Sequence, residues 1–344
     1  MKIYSLIAAL AFAALSSASV SNAAPAAAQS AYGPELEGFD YPYQVKQFEF
    51  HSQGKRLHMA YMDIQPSSPN GRSVVLMHGK NFCAATWEPT IKPLVQAGYR
   101  VIAPDQVGFC KSSKPDAYQF SFQQLAHNTK ALLQSIGVEK IILVGHSTGG
   151  MLAVRYALMN PEQVGQLVLV NPIGLEDWKA KGVPSITVDE WYKRELETTA
   201  ERIRSYEQPT YYAGQWRDDY NAPVEMLAGM YRGPGRNAVA WNSALLYDMI
   251  YTQPVVYEFG LLKMPTLLLI GQRDTTAIGK DLASPEVKAG IGHYPELGRS
   301  AAKQIPNASL VEFPSMGHAP QIQDPDAFNQ VLLKKIAATA EQGR

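Results

Sequence analysis

The order of apolar runs along this chain predicts an α/β fold, with a mostly parallel sheet covered by helices on both faces. Three observations carry that prediction. Short runs dominated by Val, Ile and Leu, at residues 73–77, 100–103, 140–144, 166–170, 266–270 and 309–313, are continuously apolar rather than alternating, as strands buried on both faces are. Most of these runs are separated by segments of helical spacing, the pattern of a sheet with crossover helices. The 344 residues are 46% hydrophobic and 18% charged, which suffices for one large core, so a single domain with an insertion fits best.

The first residues stand outside that fold. Lys2 precedes an apolar run over residues 6–15, and Ser21-Asn22-Ala23 offers the small residues a signal peptidase needs, so residues 1–23 read as a signal peptide. The run is shorter than the roughly 20 residues of a membrane span, and no Cys follows it to carry a lipid. Export is expected, periplasmic or secreted, with cleavage after Ala23 and no stable membrane anchor; a retained N-terminal anchor is the competing reading. Residues 24–40 are rich in Ala, Pro and Gly without a hydrophobic period and read as a flexible tail.

Residues 44–51 and 56–63 then form an expected antiparallel pair around Gln53-Gly54. The strand at 73–77 runs into His78-Gly79, a helix follows over 86–97 with Gly98 closing it, and the strand at 100–103 ends at Pro104-Asp105. Ser121, with Gln124 in the capping-box position, opens the next helix. The remaining strands complete a core over residues 41–172 and 263–344. Residues 173–262 break the rhythm, holding four of the five tryptophans and nine tyrosines among scattered Gly and Pro. They read as a helical cap over a cleft, whose rings either line a substrate or form the cap's own core.

Lys+Arg and Asp+Glu both number 31, so no basic field exists to hold a nucleic acid. The chemistry concentrates instead at Gly145-His146-Ser147-Thr148-Gly149, between a buried strand and a helix. This G-x-S-x-G pattern turns a strand sharply into a helix and holds the serine hydroxyl out of the sheet edge, at a helix N-terminus that favours a developing anion. A serine hydroxyl is a poor nucleophile at neutral pH and needs a base, which needs an acid to orient it. Of the seven histidines, His51 and His58 fall in the early hairpin and His127 lies mid-helix, all read as surface or packing residues. His146 is the variable elbow position and points away from the nucleophile, His78 sits at a structural turn, and His293 has no evident purpose. His318, in Gly317-His318-Ala319-Pro320 directly after the last strand, is the expected base. Asp274 follows the strand ending at Ile270 and is the expected acid, with Glu176 and Asp177 as spare candidates and helix capping as its alternative duty. Asn171 carries no charge to stabilise an imidazolium. The oxyanion donors are expected to be the backbone N–H groups of Thr148 and Lys80.

His78-Gly79, Asp105-Gln106-Val107-Gly108-Phe109-Cys110, Gly145-His146-Ser147-Thr148-Gly149-Gly150, Gly271-Gln272-Arg273-Asp274 and Gly317-His318 together resemble the successive motifs of the capped α/β-hydrolase superfamily. The order Ser147, Asp274, His318 is also that superfamily's. The resemblance covers the chain from about Tyr41 onward, the cap excepted, and implies an eight-stranded α/β-hydrolase sheet with its cap inserted after the sixth strand. It implies esterases, C–C bond hydrolases and perhydrolases as relatives; epoxide hydrolases and dehalogenases use an Asp nucleophile where this chain has Ser147. Cys110 departs from the glycine that relatives often carry there.

In that fold the loops bearing Cys83 and Cys110 leave neighbouring strands at one edge, so a disulfide between them is expected in an exported protein. Two cysteines without a histidine cluster do not complete a zinc site, and no metal or cofactor is expected. Lys80 either attracts substrates bearing a carboxylate or is a solvated loop lysine. The expected activity is that of an exported, cofactor-independent serine hydrolase cleaving a carboxylic ester or related small acyl substrate. The same triad serves C–C bond hydrolysis or transfer to peroxide, and a non-catalytic ligand-binding relative has no need of it.

Overall fold

A computed structural model describes residues 29–342. Eight strands form one sheet: β1 Val45–Ser52, β2 Lys55–Ile64, β3 Ser73–Met77, β4 Arg100–Pro104, β5 Ile141–His146, β6 Val164–Val170, β7 Thr266–Gly271 and β8 Ala308–Phe313. Their spatial order is β1-β2-β4-β3-β5-β6-β7-β8, antiparallel at the first two pairings and parallel from β4 onward. All parallel strands therefore end at one edge, where the loops meet.

The period of two along each strand divides the core. Val74, Leu76, Val101, Ile142, Val144, Val168, Leu267 and Leu269 face α1 (Glu88–Gln96) and a C-terminal helix over Pro325–Gln342, which meet them with Ile91, Leu94, Phe328, Leu332 and Ile336. Val75, Met77, Leu143, Leu167, Leu169, Leu268 and Ile270 face α2 (Phe122–Ser135), α3 (Thr148–Met159) and a later helix over Tyr294–Gln304. Each fully buried aliphatic side chain contributes about 1.5–3 kcal/mol. Ser121 caps α2, accepting from Gln124 N–H at 3.0 Å. The helix expected over 86–97 begins as a 3₁₀ turn, Ala84–Trp87, with Pro89 in the first turn of α1, where its missing N–H costs nothing.

Between β6 and β7 the chain leaves the sheet and builds the cap from α4 (Val188–Glu195), α5 (Ala200–Tyr211), α6 (Asn221–Arg232) and α7 (Arg236–Thr252). Its aromatics divide: Tyr212 and Tyr220 stack on each other at 3.7 Å where the cap meets Phe82 and Ile322, while the Tyr211 ring lies against His318.

The signal peptide expected over residues 1–23 lies outside the described residues, as do residues 24–28. Residues 30–39, read from composition as a flexible tail, instead form a strap across cap and core. Leu36 is fully buried, Tyr32 N–H donates to Gly229 O at 2.9 Å, and Lys111 Nζ donates to Leu36 O at 3.0 Å. Three apolar side chains, Tyr32, Leu36 and Phe39, anchor it; their spacing is that of a helix face, but Gly33, Pro34 and Gly38 between them make a segment that composition reads as loose.

Candidate active site

Ser147 sits between β5 and α3 with φ 55° and ψ −122°. A side chain at positive φ is strained, and the elbow is held there by close packing. A Cβ on Gly145 would strike Gly149 O, and one on Gly149 would strike Met77 O, so both positions must stay bare. Ser147 N–H donates to Val170 O at 3.2 Å, and Ser147 O accepts from Gly150 and Ile173 N–H.

His318 reaches this serine from the loop after β8. Its Nε2 lies 2.8 Å from Ser147 Oγ and its Nδ1 2.6 Å from Asp274 Oδ2, with all three residues buried. A carboxylate acceptor at Nδ1 requires that nitrogen to carry the proton, which leaves Nε2 as acceptor for the serine hydroxyl. Asp274 emerges after β7 and is oriented in turn by Asn171 Nδ2 at 2.9 Å and Thr276 N–H at 2.8 Å. Glu176 instead binds Lys181, Trp178 Nε1 and Gly292 N–H, and Asp177 accepts from Tyr257.

Two residues that sequence reasoning set aside support the site. Asn171, at the end of β6 with φ 37°, donates to Asp274 and accepts from Gly271 N–H at 2.9 Å, tying two strand ends together. His146 Nε2 lies 2.8 Å from His318 O, so its N–H donates there and holds the His318 backbone. Burial, reinforced by the neighbouring His318, pushes the His146 imidazole well below its ordinary pKa, consistent with a neutral ring. The cap contributes too: His318 N–H donates to Thr210 O and Ala319 N–H to Tyr211 O, carbonyls at the open end of α5, and the Tyr211 ring lies 4.7 Å from the imidazole.

The loop after β3 closes the other side. A Cβ on Gly79 would stand 2.8 Å from Ser147 Cβ, which shows how tightly this loop abuts the serine. His78, its pKa lowered by burial, donates from Nδ1 to Gly79 O at 2.9 Å and accepts Gln106 N–H at Nε2. The N–H groups of Lys80 and Thr148 find no acceptor among the described residues. Cys83 and Cys110 are joined by a disulfide with Cα atoms 5.8 Å apart, fixing the far end of the loop. Cys110 stands at φ 43°, a conformation that glycine adopts more easily than cysteine. Asp105 lies close to both sulfurs, but they are taken up by the disulfide and its carboxylate by Ala84 N–H, Lys111 N–H and Tyr41 OH.

Lys80 is not a solvated loop lysine. Its side chain is 11% exposed and its Nζ donates to Ser243 Oγ at 2.7 Å. His51, His127 and His293 are exposed, and His58 pairs with Glu35 of the strap. A cavity of about 230 Å³ lies between Asn81, the cap's Trp191, Tyr206 and Tyr247, and the Ala277–Gly279 turn beyond Asp274. A larger groove of about 580 Å³ lies between Tyr41, Pro89 and Pro223, and neither space has Ser147, Asp274 or His318 in its lining.

The sequence profile of the α/β hydrolase fold family matches residues 72–325. A solved structure from Pseudomonas aeruginosa PAO1, described as a probable hydrolytic enzyme, is 64% identical with a TM-score of 0.89, covering 89% of this chain and 98% of that one. A 2-hydroxy-6-oxononadienedioate/2-hydroxy-6-oxononatrienedioate hydrolase of Comamonas testosteroni is 28% identical over 273 residues, 78% of this chain and 88% of the relative. A 2-hydroxy-6-oxo-6-phenylhexa-2,4-dienoate hydrolase of Burkholderia cepacia is 29% identical over 276 residues, with the same coverage of 78% and 88%. With most of its length matched and an eight-stranded, mostly parallel sheet, the chain is an enzyme of the α/β-hydrolase family.

Proposed function

We propose that this enzyme is an exported serine hydrolase that cleaves a carboxylic ester or related small acyl compound through Ser147, His318 and Asp274. The observation that carries the reading is His318, whose two ring nitrogens lie 2.8 Å from a serine hydroxyl and 2.6 Å from a buried carboxylate. In the first step Ser147 Oγ attacks the carbonyl carbon while His318 Nε2 takes its proton. Asp274 holds the ring and stabilises the imidazolium. The carbonyl oxygen, now negative, is received by the N–H groups of Thr148 and Lys80, each worth roughly 3 kcal/mol of transition-state stabilisation. His318 then protonates the leaving alcohol, and a water that it deprotonates releases the acid from Ser147. Export rests on the leader-like residues 1–23 and on the disulfide, which persists in oxidising compartments.

A second reading, hydrolysis of a C–C bond in a dienoate by the same residues, is favoured by the names of the two Comamonas and Burkholderia relatives. Turnover of a panel of p-nitrophenyl esters and dienoate ring-fission compounds by the wild type and Ser147→Ala separates them. Ester turnover with an initial burst, reduced about 10⁴-fold or more in Ser147→Ala, is expected. Turnover of dienoates alone selects the second reading, and undiminished turnover in the variant rejects both.

A further inference from the structure

Lys80 has two ends with different neighbours. Its backbone lies beside the nucleophile, next to a Gly79 whose Cβ would press on Ser147, and its N–H has no acceptor among the described residues. Its side chain runs into the cap. There Nζ donates to Ser243 Oγ at 2.7 Å, lies 3.7 Å from Glu195 Oε2 and stands 3.7 Å from the centre of the Tyr247 ring. Ser243 passes the polarity on, its hydroxyl donating to Glu195 Oε2 at 2.5 Å, and Tyr231 OH donates to the same oxygen. Three cap residues on two helices, α4 and α7, thus converge on one ammonium, and Tyr231 on α6 braces the glutamate among them.

The ammonium is satisfied by this cage. A substrate carboxylate placed against it would meet the Glu195 carboxylate at close range, and two like charges in a dry site repel strongly. That weighs against the carboxylate-attracting role the sequence allows for Lys80. The loop itself supplies the other half of the argument. Its ends are fixed to the core, by the His78 ring on one side and the Cys83–Cys110 disulfide on the other. Its middle is fixed to the cap, by Lys80 and by Asn81 Nδ2, which donates to Tyr211 OH at 3.1 Å. Only the middle bears an expected oxyanion donor.

We propose that Lys80 is a positioning residue whose caged side chain moors the oxyanion loop to the cap, so that seating the cap aims the Lys80 N–H at the reacting carbonyl. The proposal rests on the serine-hydrolase reading above. Misplacing a catalytic group by about 1 Å costs up to about 100-fold in rate, and complete loss of one oxyanion donor about 100- to 1,000-fold. A slackened mooring falls at or below the lower of these.

The test measures kcat and KM on a neutral and an anionic p-nitrophenyl ester for the wild type, Lys80→Met, Lys80→Arg and Lys80→Met/Glu195→Gln, with Tm recorded for each. Lys80→Met is expected to lower kcat by about 10- to 100-fold on both esters alike, with KM within about threefold. Lys80→Arg restores a cation for Ser243 and recovers most of the loss. Because Lys80→Met strands a buried glutamate and is at risk of unfolding, the double variant, which removes both charges, carries the same expectation in a folded protein. A rise in KM confined to the anionic ester overturns the proposal in favour of a substrate anchor, and unchanged kcat on both esters overturns it outright. An intact burst and its loss in Ser147→Ala show independently whether the serine-hydrolase reading stands.

Discussion

At Asp274 three donors meet one carboxylate: the His318 ring, the Asn171 amide and the Thr276 N–H. In the proposed triad an acid held this firmly orients the base and sets its tautomer, whereas an amide at the same place presents an N–H that turns the ring the wrong way. Asp274→Asn is therefore expected to lower kcat by about 10⁴-fold while leaving Tm near the wild type, read by steady-state kinetics and thermal denaturation. A tenfold or smaller loss assigns the acid elsewhere. Ser147, Asp274 and His318 are accessible to sequence reasoning because each directly follows an apolar strand, and parallel strands deliver such positions to one edge. Asn171 is not, because an amide advertises no charge and its partner lies 103 residues away. His146 is missed for a related reason: the elbow pattern leaves its position variable, and its function is a bond to the backbone of residue 318.

Helix α5 shows what an element adds. Its last carbonyls hold the His318 loop, its Tyr211 packs on the imidazole, and its Glu207 is buried with Oε2 unpartnered among the described residues. Burial pushes the Glu207 carboxyl up to about 8. Below an unfolded value near 4.5 both states hold the proton, and the fold carries no penalty from it. Between there and about 8 the native state keeps a proton that the unfolded chain has released, so stability falls as pH rises, by about 1 kcal/mol per pH unit. Glu207→Gln removes the titration, and denaturant unfolding at pH 5 and pH 8 is expected to show a smaller loss for the variant than for the wild type. Equal losses in both reject this account of the helix. The cap is legible in outline, from its aromatics, but a ring that packs inward and one that faces the base carry the same composition; Tyr212 and Tyr211 are adjacent in the chain and do one each.

Across the whole molecule, cap and core are held together by links that are far apart in sequence. The strap over residues 30–39 crosses from Gly229 on α6 to Lys111 beside the disulfide, and its Glu35 meets His58 on β2. Leu36 is its fully buried anchor. Leu36→Ala is expected to cost about 2–5 kcal/mol in urea unfolding, and a change below about 0.5 kcal/mol, usual for a surface site, would mean that the strap is not an integral part of the fold. The mostly parallel sheet is readable from the sequence because continuous apolar runs with helices between them imply strands buried on both faces. The strap is not, because its contacts are with residues roughly 20 to 200 positions later, and local composition carries no trace of them.

The central claim is that Ser147 is the nucleophile and His318 its base. Peptide mass spectrometry after reaction with a fluorophosphonate tests it most directly. A single adduct on the peptide bearing Ser147, forming far more slowly in His318→Ala, is the predicted result. An adduct on another residue, or equal labelling rates with and without the imidazole, contradicts it.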